Sequence, residues 1–276
     1  MEKSICTGPA KGRSGATIIL AGDKAIKIGV NLSSQHAHCS LLFPLTPFVY
    51  DYIPLSSEPH CEDIYVMERL SEPDTLVDGW AVDTLKNMRR SLTAVWARSC
   101  RHVLDYGNWE QELTIWCGRQ GFDIAPLMKE YGMEGLLRGA PYLIHGDPTL
   151  ANVLVRVHGA VLDTRELVIC DPIKPTGKIP SHYTVDLGKM LQSAIGWERQ
   201  ILDLEIDTPT AIAAVLYGEP HVQVCRSWFW CMVHLLRILP YVPIFQDDYM
   251  WAARRAQRIY KDLIAQKVDK CYMPLI

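Results

Sequence analysis

The hydrophobic pattern changes character once along the chain. Over roughly the first seventy residues it is short and alternating. Ala16–Leu20 is an apolar run with β-branched residues, Gly22-Asp23 is a turn signal, and Lys24–Ile28 is a second short run. Two such runs across a tight Gly-Asp turn predict a β-hairpin. Strand alternation then sets Ala25, Lys27 and Gly29 on one face and Ile26 and Ile28 on the other. Asn31–Leu42 predicts one helix, with Asn31 or Ser33 as its N-cap. Phe48–Ile53 and Ile64–Met67 predict two further strands around a polar loop, Pro54–Cys61.

Beyond Leu70 the spacing becomes helical. Val82, Leu85, Met88, Leu92, Val95 and Trp96 form a one-sided apolar stripe within Val82–Leu104, with Lys and Arg between them. Trp109–Cys117 and Ile124–Leu137 predict more helices. Tyr142–Ile144, Val153–Val157 and Leu167–Cys170 are short apolar runs that predict strands around loops. From Asp186 the pattern is helical again, with breaks near Pro209, Glu219-Pro220 and Pro240. The longest apolar run, Trp228–Phe245, contains His234, Arg237, Pro240 and Pro243. Two prolines and a charge argue against a membrane span, and a buried helix ending near Leu239 is predicted instead. The change of character places a lobe boundary within Glu68–Pro73, giving an N-terminal lobe 1–70 and a C-terminal lobe 71–276.

Composition narrows the class. A chain of 276 residues with 49% hydrophobic positions can bury two unequal cores. A net charge of −3 without long charge runs gives no reason to expect a nucleic-acid or membrane partner. Nine cysteines are scattered without a Cys-x-x-Cys pair or zinc spacing, which reads as reduced thiols in a cytoplasmic protein. Met1–Gly15 is polar and lacks the apolar core of a signal peptide.

The candidate chemistry lies in the middle of the chain. Ile144-His145-Gly146-Asp147-Pro148-Thr149-Leu150-Ala151-Asn152-Val153 sets an Asp five residues before an Asn, between two apolar runs. Phosphoryl transfer needs this pairing: a carboxylate to orient a hydroxyl and accept its proton, and an amide oxygen to hold a metal. Nineteen residues after Asn152, Val168-Ile169-Cys170-Asp171-Pro172 predicts a strand ending in a carboxylate suited to magnesium.

The first segment resembles the His-Gly-Asp-x-x-x-x-Asn loop of the aminoglycoside phosphotransferase and choline kinase group. The second resembles that group's Asp-Pro or Asp-Phe metal turn. Lys24-Ala25-Ile26-Lys27-Ile28 resembles the Val-Ala-Ile-Lys strand of kinases. Tyr65-Val66-Met67-Glu68-Arg69-Leu70 resembles the strand and hinge that meet adenine, and Val185-Asp186-Leu187-Gly188-Lys189-Met190 resembles the helix segment that supports the catalytic loop. The resemblance implies an α+β, two-lobed protein kinase-like fold with a small antiparallel β-rich N-lobe and a larger helical C-lobe. It implies an ATP- and Mg2+-dependent phosphotransferase. Asp147 is then the catalytic base, Asn152 and Asp171 the metal ligands, and His145 a brace for the loop. Lys27 holds the phosphates, Gly12 and Gly15 belong to a phosphate-covering loop, and backbone groups from Met67 and Glu68 to Leu70 meet the base. Asp186 is a helix-capping support.

One departure matters. Kinases pair the strand lysine with a Glu on the N-lobe helix, yet residues 28–57 contain no Glu; Gln35 is the nearest polar substitute, with His36 and His38 beside it. The acceptor hydroxyl belongs to a small molecule or to a protein. Asp203, Glu205, Asp207, Asp247 and Asp248 could meet a cationic substrate, and Trp197, Trp228, Trp230 and Trp251 could line its pocket. The alternatives are a Ser/Thr protein kinase similar to the compact bacteriophage enzymes and a non-catalytic, nucleotide-binding regulator. Nothing in the sequence speaks to oligomeric state.

Overall fold

The structure, a computed structural model, describes residues 10–11, 16–30, 32–55, 62–75, 77–98, 109–133, 142–157, 165–173, 180–198, 204–241 and 247–268. These form two compact units. One comprises the described residues within 1–73 and 152–174; the other comprises those within 74–151 and 175–276. The first junction lies between Pro73 and Asp74, and residues 152–174 cluster with the N-terminal segment.

The first unit is built on a five-stranded antiparallel sheet. In chain order the strands are β1 (Ala10–Lys11), β2 (Thr17–Ala21), β3 (Lys24–Val30), β4 (Val49–Pro54) and β5 (Glu62–Glu68), arranged β1-β2-β3-β5-β4. The β2–β3 hairpin turns on Gly22, whose φ of 62° suits a residue without Cβ. Helix α1 (Leu32–Leu42) covers the sheet, and Ala25, Leu32, Cys39, Tyr65 and Met67 make the core between them. Ala25, Lys27 and Gly29 are accordingly the buried face of β3, while Ile26 and Ile28 are half-exposed, as strand alternation requires. A second hairpin, β6 (Val153–Val157) and β7 (Arg165–Ile169), is pinned to this sheet. Val155 bridges Ser71, the Ile169 N–H donates to the Leu45 carbonyl at 2.8 Å, and Arg156 pairs with both Glu68 and Glu166.

The second unit is helical: α2 (Trp80–Trp96), α3 (Trp109–Arg119), α4 (Ala125–Glu130), α5 (Tyr183–Ala194), α6 (Thr208–Leu216), α7 (His221–Ile238) and α8 (Asp247–Ile264). Its centre is the packing of α5 on α7 and of α7 on α8, with Trp228, Phe229 and Trp230 fully buried. All six apolar stripe residues of α2 are buried. No described helix is long and apolar enough to cross a membrane.

Several predicted elements change. Helix α2 stops at Trp96 rather than Leu104, with a turn at residues 97–98; residues 99–104 lie outside the described set. Helix α4 ends at Glu130 because Gly132 adopts a φ of 59°, which closes a helix. Tyr142–Ile144 is no strand. Only Tyr142 makes a β-type contact, its N–H donating to the Ser181 carbonyl at 2.9 Å. Leu143 and Ile144 are buried as loop residues, and the next two backbone donors go to a side chain, described below. Pro209 opens helix α6 instead of breaking one, since proline is tolerated in the first turn.

Candidate active site

In the sheet unit, the site begins with a buried cation. Lys27 is only 3% exposed, and burying an ammonium is costly unless it is paired. Its Nζ donates to the Asp171 carboxylate at 2.7 Å and to Gln35 Oε1 at 3.1 Å. Gln35 stands on α1 and fills the place where the resemblance implies a Glu. Lys27 is therefore held between the helix and the end of β7, with one charged and one neutral partner.

Asp171 follows β7 with a φ of 54°. That left-handed conformation is uncommon outside glycine, and Asp is among the residues that tolerate it. Its carboxylate remains 42% exposed while bonded to Lys27. Asn152 precedes β6, and its carbonyl accepts the Cys170 N–H at 2.7 Å. Since Val153 pairs with Ile169, Asn152 and Asp171 leave the same end of one hairpin. An amide oxygen and a carboxylate so placed suit a hard divalent ion that takes its remaining ligands from phosphates and water. Among the described residues no group of three His, Cys, Asp or Glu side chains could hold a metal, so such an ion would depend on those other ligands. Two thiols adjoin the pair: burial pushes Cys39 up to about 11 and Cys170 well above its ordinary range, so both stay protonated.

The hinge differs from the expectation for adenine. The Glu68 N–H already donates to the Phe48 carbonyl and the Arg69 N–H to the Asp23 carbonyl, both at 2.9 Å. The Glu68 carboxylate is occupied by Arg156 and by the Phe48 N–H. Met67 belongs to the core, 8% exposed. Leu70 and the local carbonyls are left as candidates for a base edge. Gly12 and Gly15 lie outside the described residues.

In the helical unit, the loop 145–150 is held by one face of α5. Asp186 accepts the His145 N–H at 2.9 Å and the Gly146 N–H at 2.7 Å, and also the Trp96 indole N–H at 2.9 Å. Gly146 has a φ of 84°, so the loop turns where a side chain would be strained. Burial pushes Asp186 up to about 6, against the three hydrogen bonds that favour its charge. It lies in the first turn of α5 and does not cap it: the N-cap is His182, whose Nδ1 accepts the Thr184 N–H. His145 is fully buried and its Nδ1 accepts the Asp147 N–H at 3.3 Å. Asp147 pairs with Lys189 of α5, Nζ to Oδ1 2.9 Å.

Of the proposed acceptor residues, Asp207 caps α6 through Thr210, while Glu205 lines a groove of about 680 Å³ with Asp78 and Trp80. Asp247 and Asp248 open α8, where acidic side chains favour a helix N-terminus. Trp228 and Trp230 are core residues; Trp197 and Trp251 pack on each other with ring centres 5.8 Å apart. Asp203 lies outside the described residues.

No family model matches the chain, and no curated protein matches it in sequence. Solved structures do match over almost its whole length. A GDP complex of a mutant aminoglycoside 2'-phosphotransferase-IIIa aligns with a TM-score of 0.57 at 13% identity, covering 96% of this chain and 94% of that one. Choline kinase LicA from Streptococcus pneumoniae aligns at 0.52 and 13%, covering 95% of each chain. A choline/ethanolamine kinase family protein from Mesorhizobium loti aligns at 0.51 and 14%, covering 95% of this chain and 88% of that one.

The chain has a protein kinase-like fold. Within the kinase-like fold, two features of the site were beyond sequence reasoning. Lys189 was visible only as a member of the supporting segment; its spacing of three from Asp186 sets both on one helix face, a signal that could have raised it. The Arg156 link to Glu68 had no sequence signal, because it joins β6 to β5 across 88 positions.

Proposed function

We propose that the protein transfers the γ-phosphate of ATP to a hydroxyl group. The observation that carries this reading is the Lys27 ammonium, buried and fixed between Asp171 at 2.7 Å and Gln35 at 3.1 Å. A hydrophobic core has no use for a cation there, whereas polyphosphate binding does. The GDP bound in the aligned aminoglycoside phosphotransferase supports a nucleotide as donor.

In this reading Lys27 steadies the phosphates. Asn152 and Asp171 hold magnesium, which when bound neutralises charge on the terminal phosphate oxygens. Asp147 orients the acceptor hydroxyl. The acceptor oxygen bonds to the γ-phosphorus, the bond to the β–γ bridging oxygen breaks, ADP leaves, and the hydroxyl proton passes to Asp147. Most of the rate would come from positioning and electrostatics. The absence of a helix Glu favours a non-catalytic regulator; the Gln35 contact with Lys27, which offers a neutral substitute for that Glu, supports the catalytic reading instead.

The test is transfer of labelled γ-phosphate from ATP with magnesium, first into a cell lysate and then into a metabolite pool. Label in the small-molecule fraction points to a small acceptor, and label in protein bands to a protein kinase. Asp147→Ala is expected to lose about two to four orders of magnitude in rate while keeping nucleotide affinity. Asp171→Ala is expected to weaken magnesium-nucleotide binding as well. An Asp147→Ala variant as fast as wild type would overturn the assignment.

A further inference from the structure

We propose that Lys189 is a positioning residue of the reaction, setting the Asp147 carboxylate for proton acceptance; this rests on the phosphotransferase reading. The loop from His145 to Leu150 is anchored to α5 at three successive points. Asp186 accepts the His145 and Gly146 N–H groups, the Lys189 ammonium forms an ion pair with Asp147 Oδ1 at 2.9 Å, and Ser193 Oγ accepts the Leu150 N–H at 3.2 Å. Positions 186, 189 and 193 follow the i, i+3, i+7 spacing of one helix face. The first and last anchors hold backbone. Only the middle one holds a side chain, and it holds the one assigned to the chemistry.

Lys189 is itself fixed. Beyond that ion pair, its Nζ donates a hydrogen bond to Gln192 Oε1 at 3.1 Å, and its side chain is 12% exposed. Gln192 is completely buried, so the glutamine cannot swing away from the ammonium without losing its packing. A long lysine side chain normally loses entropy on immobilisation; here burial and the glutamine have already immobilised it. The result is a carboxylate with one oxygen held by an ammonium on a rigid helix. Its rotation about the Cβ–Cγ bond is restrained before any acceptor arrives. Orientation of that kind raises turnover more than ground-state binding.

Water can serve as the acceptor, so the test needs no substrate: steady-state hydrolysis of ATP with magnesium by wild type, Asp147→Ala, Lys189→Met, Lys189→Arg and the Asp147→Ala/Lys189→Met double variant. Lys189→Met is expected to lower kcat by about 10- to 100-fold, the scale of a misplaced catalytic group, with KM for ATP changed less than about 2-fold. Lys189→Arg is expected to recover part of the loss. The double variant is expected to be no slower than Asp147→Ala alone, because Lys189 acts through Asp147. Wild-type kcat in Lys189→Met, or losses that multiply in the double variant, would overturn the proposal. If Lys189→Met does not fold, Gln192→Leu, which keeps volume but drops the 3.1 Å contact, is expected to lower kcat several-fold at unchanged KM; an unchanged kcat there also overturns it. If wild type does not hydrolyse ATP, or Asp147→Ala is as active as wild type, the phosphotransferase reading fails and this proposal falls with it.

Discussion

Glu198 shows how burial sets the behaviour of a single residue. It is 1% exposed, and burial pushes its carboxyl up to about 7, opposed by the Ser193 hydroxyl at 2.9 Å and the nearby Lys189, and assisted by Asp147. An unfolded Glu titrates near 4.5. Between those two values the native chain holds a proton that the unfolded chain has released. Stability therefore falls as pH rises from about 4.5 to 7 and is level above that. A gap of that size amounts to roughly 3 kcal/mol at pH 8. Glu198→Gln keeps the Ser193 contact and abolishes the titration. The melting temperature of Glu198→Gln relative to wild type is expected to be several degrees more favourable at pH 8 than at pH 5, and an equal difference at both values would refute the account. The comparison with wild type matters, because other groups tilt the raw profile. Burial depresses His182 to about 3, so its contribution runs the opposite way, stability rising with pH up to its ordinary 6.5. At this scale sequence reading was uneven. Gln35 could be named as the partner of Lys27 because few polar residues on α1 can reach β3. Glu198 could not be assigned, since spacing tells which residues share a helix face and says nothing of what that face meets.

Helix α5 carries most of the support for the loop, and its packing on α7 can be tested at one glycine. A Cβ on Gly188 would lie 2.5 Å from Trp230 Cβ and 2.8 Å from the Cys231 nitrogen and the Trp230 carbonyl carbon. Two of those atoms are backbone, so the helices themselves would have to separate. Alanine gains about 1 kcal/mol over glycine in helix propensity, whereas overpacking typically costs about 1–3 kcal/mol and more where nothing can yield. Packing wins here. Gly188→Ala is expected to lose about 2 kcal/mol, some 4–8 °C in melting temperature. Gly118 on α3 is the control: a Cβ there meets nothing within 4 Å, and Gly118→Ala is expected to be neutral or stabilising by up to about 1 kcal/mol. Equal effects at the two sites would show that the close approach of α5 to α7 is wrong. Element types were mostly legible because burial imposes periodicity, as in the α2 stripe and the alternation along β3. Tyr142–Ile144 misled because a short apolar run whose last two residues are buried looks the same in a strand and in a loop. Its neighbours' amides are taken by Asp186, 40 and 41 residues away in sequence, a satisfaction no local pattern can show.

For the whole molecule, the fold was legible through its motifs and not through overall similarity. No family model or curated protein matches, and the aligned structures share only 13–14% identity. The motifs in question are a lysine on β3 that the fold buries, an Asp and an Asn bracketing a short loop, and an Asp that follows β7. The clustering of residues 152–174 with the sheet was not legible, because the links through Ser71, Leu45 and Glu68 span 84–124 positions. If those motifs serve a nucleotide, the folded state must bind it and the unfolded chain must not. A ligand at 100 times its Kd then stabilises by about 2.7 kcal/mol, which is roughly 5 °C or more for a chain of this size. ATP and GTP, each with magnesium, should be compared in thermal unfolding, since the aligned phosphotransferase carries GDP. At least one is expected to raise the melting temperature by that amount. Chelating the metal is expected to reduce the shift, and Lys27→Met is expected to abolish most of it, because the ammonium that Asp171 and Gln35 hold is the charge the phosphates would meet. The shift must also grow with nucleotide concentration along the logarithmic law of a single site. A flat melting temperature with both purine nucleotides, across a range reaching millimolar, would leave the buried lysine without a ligand and the kinase-like fold without the activity inferred from it.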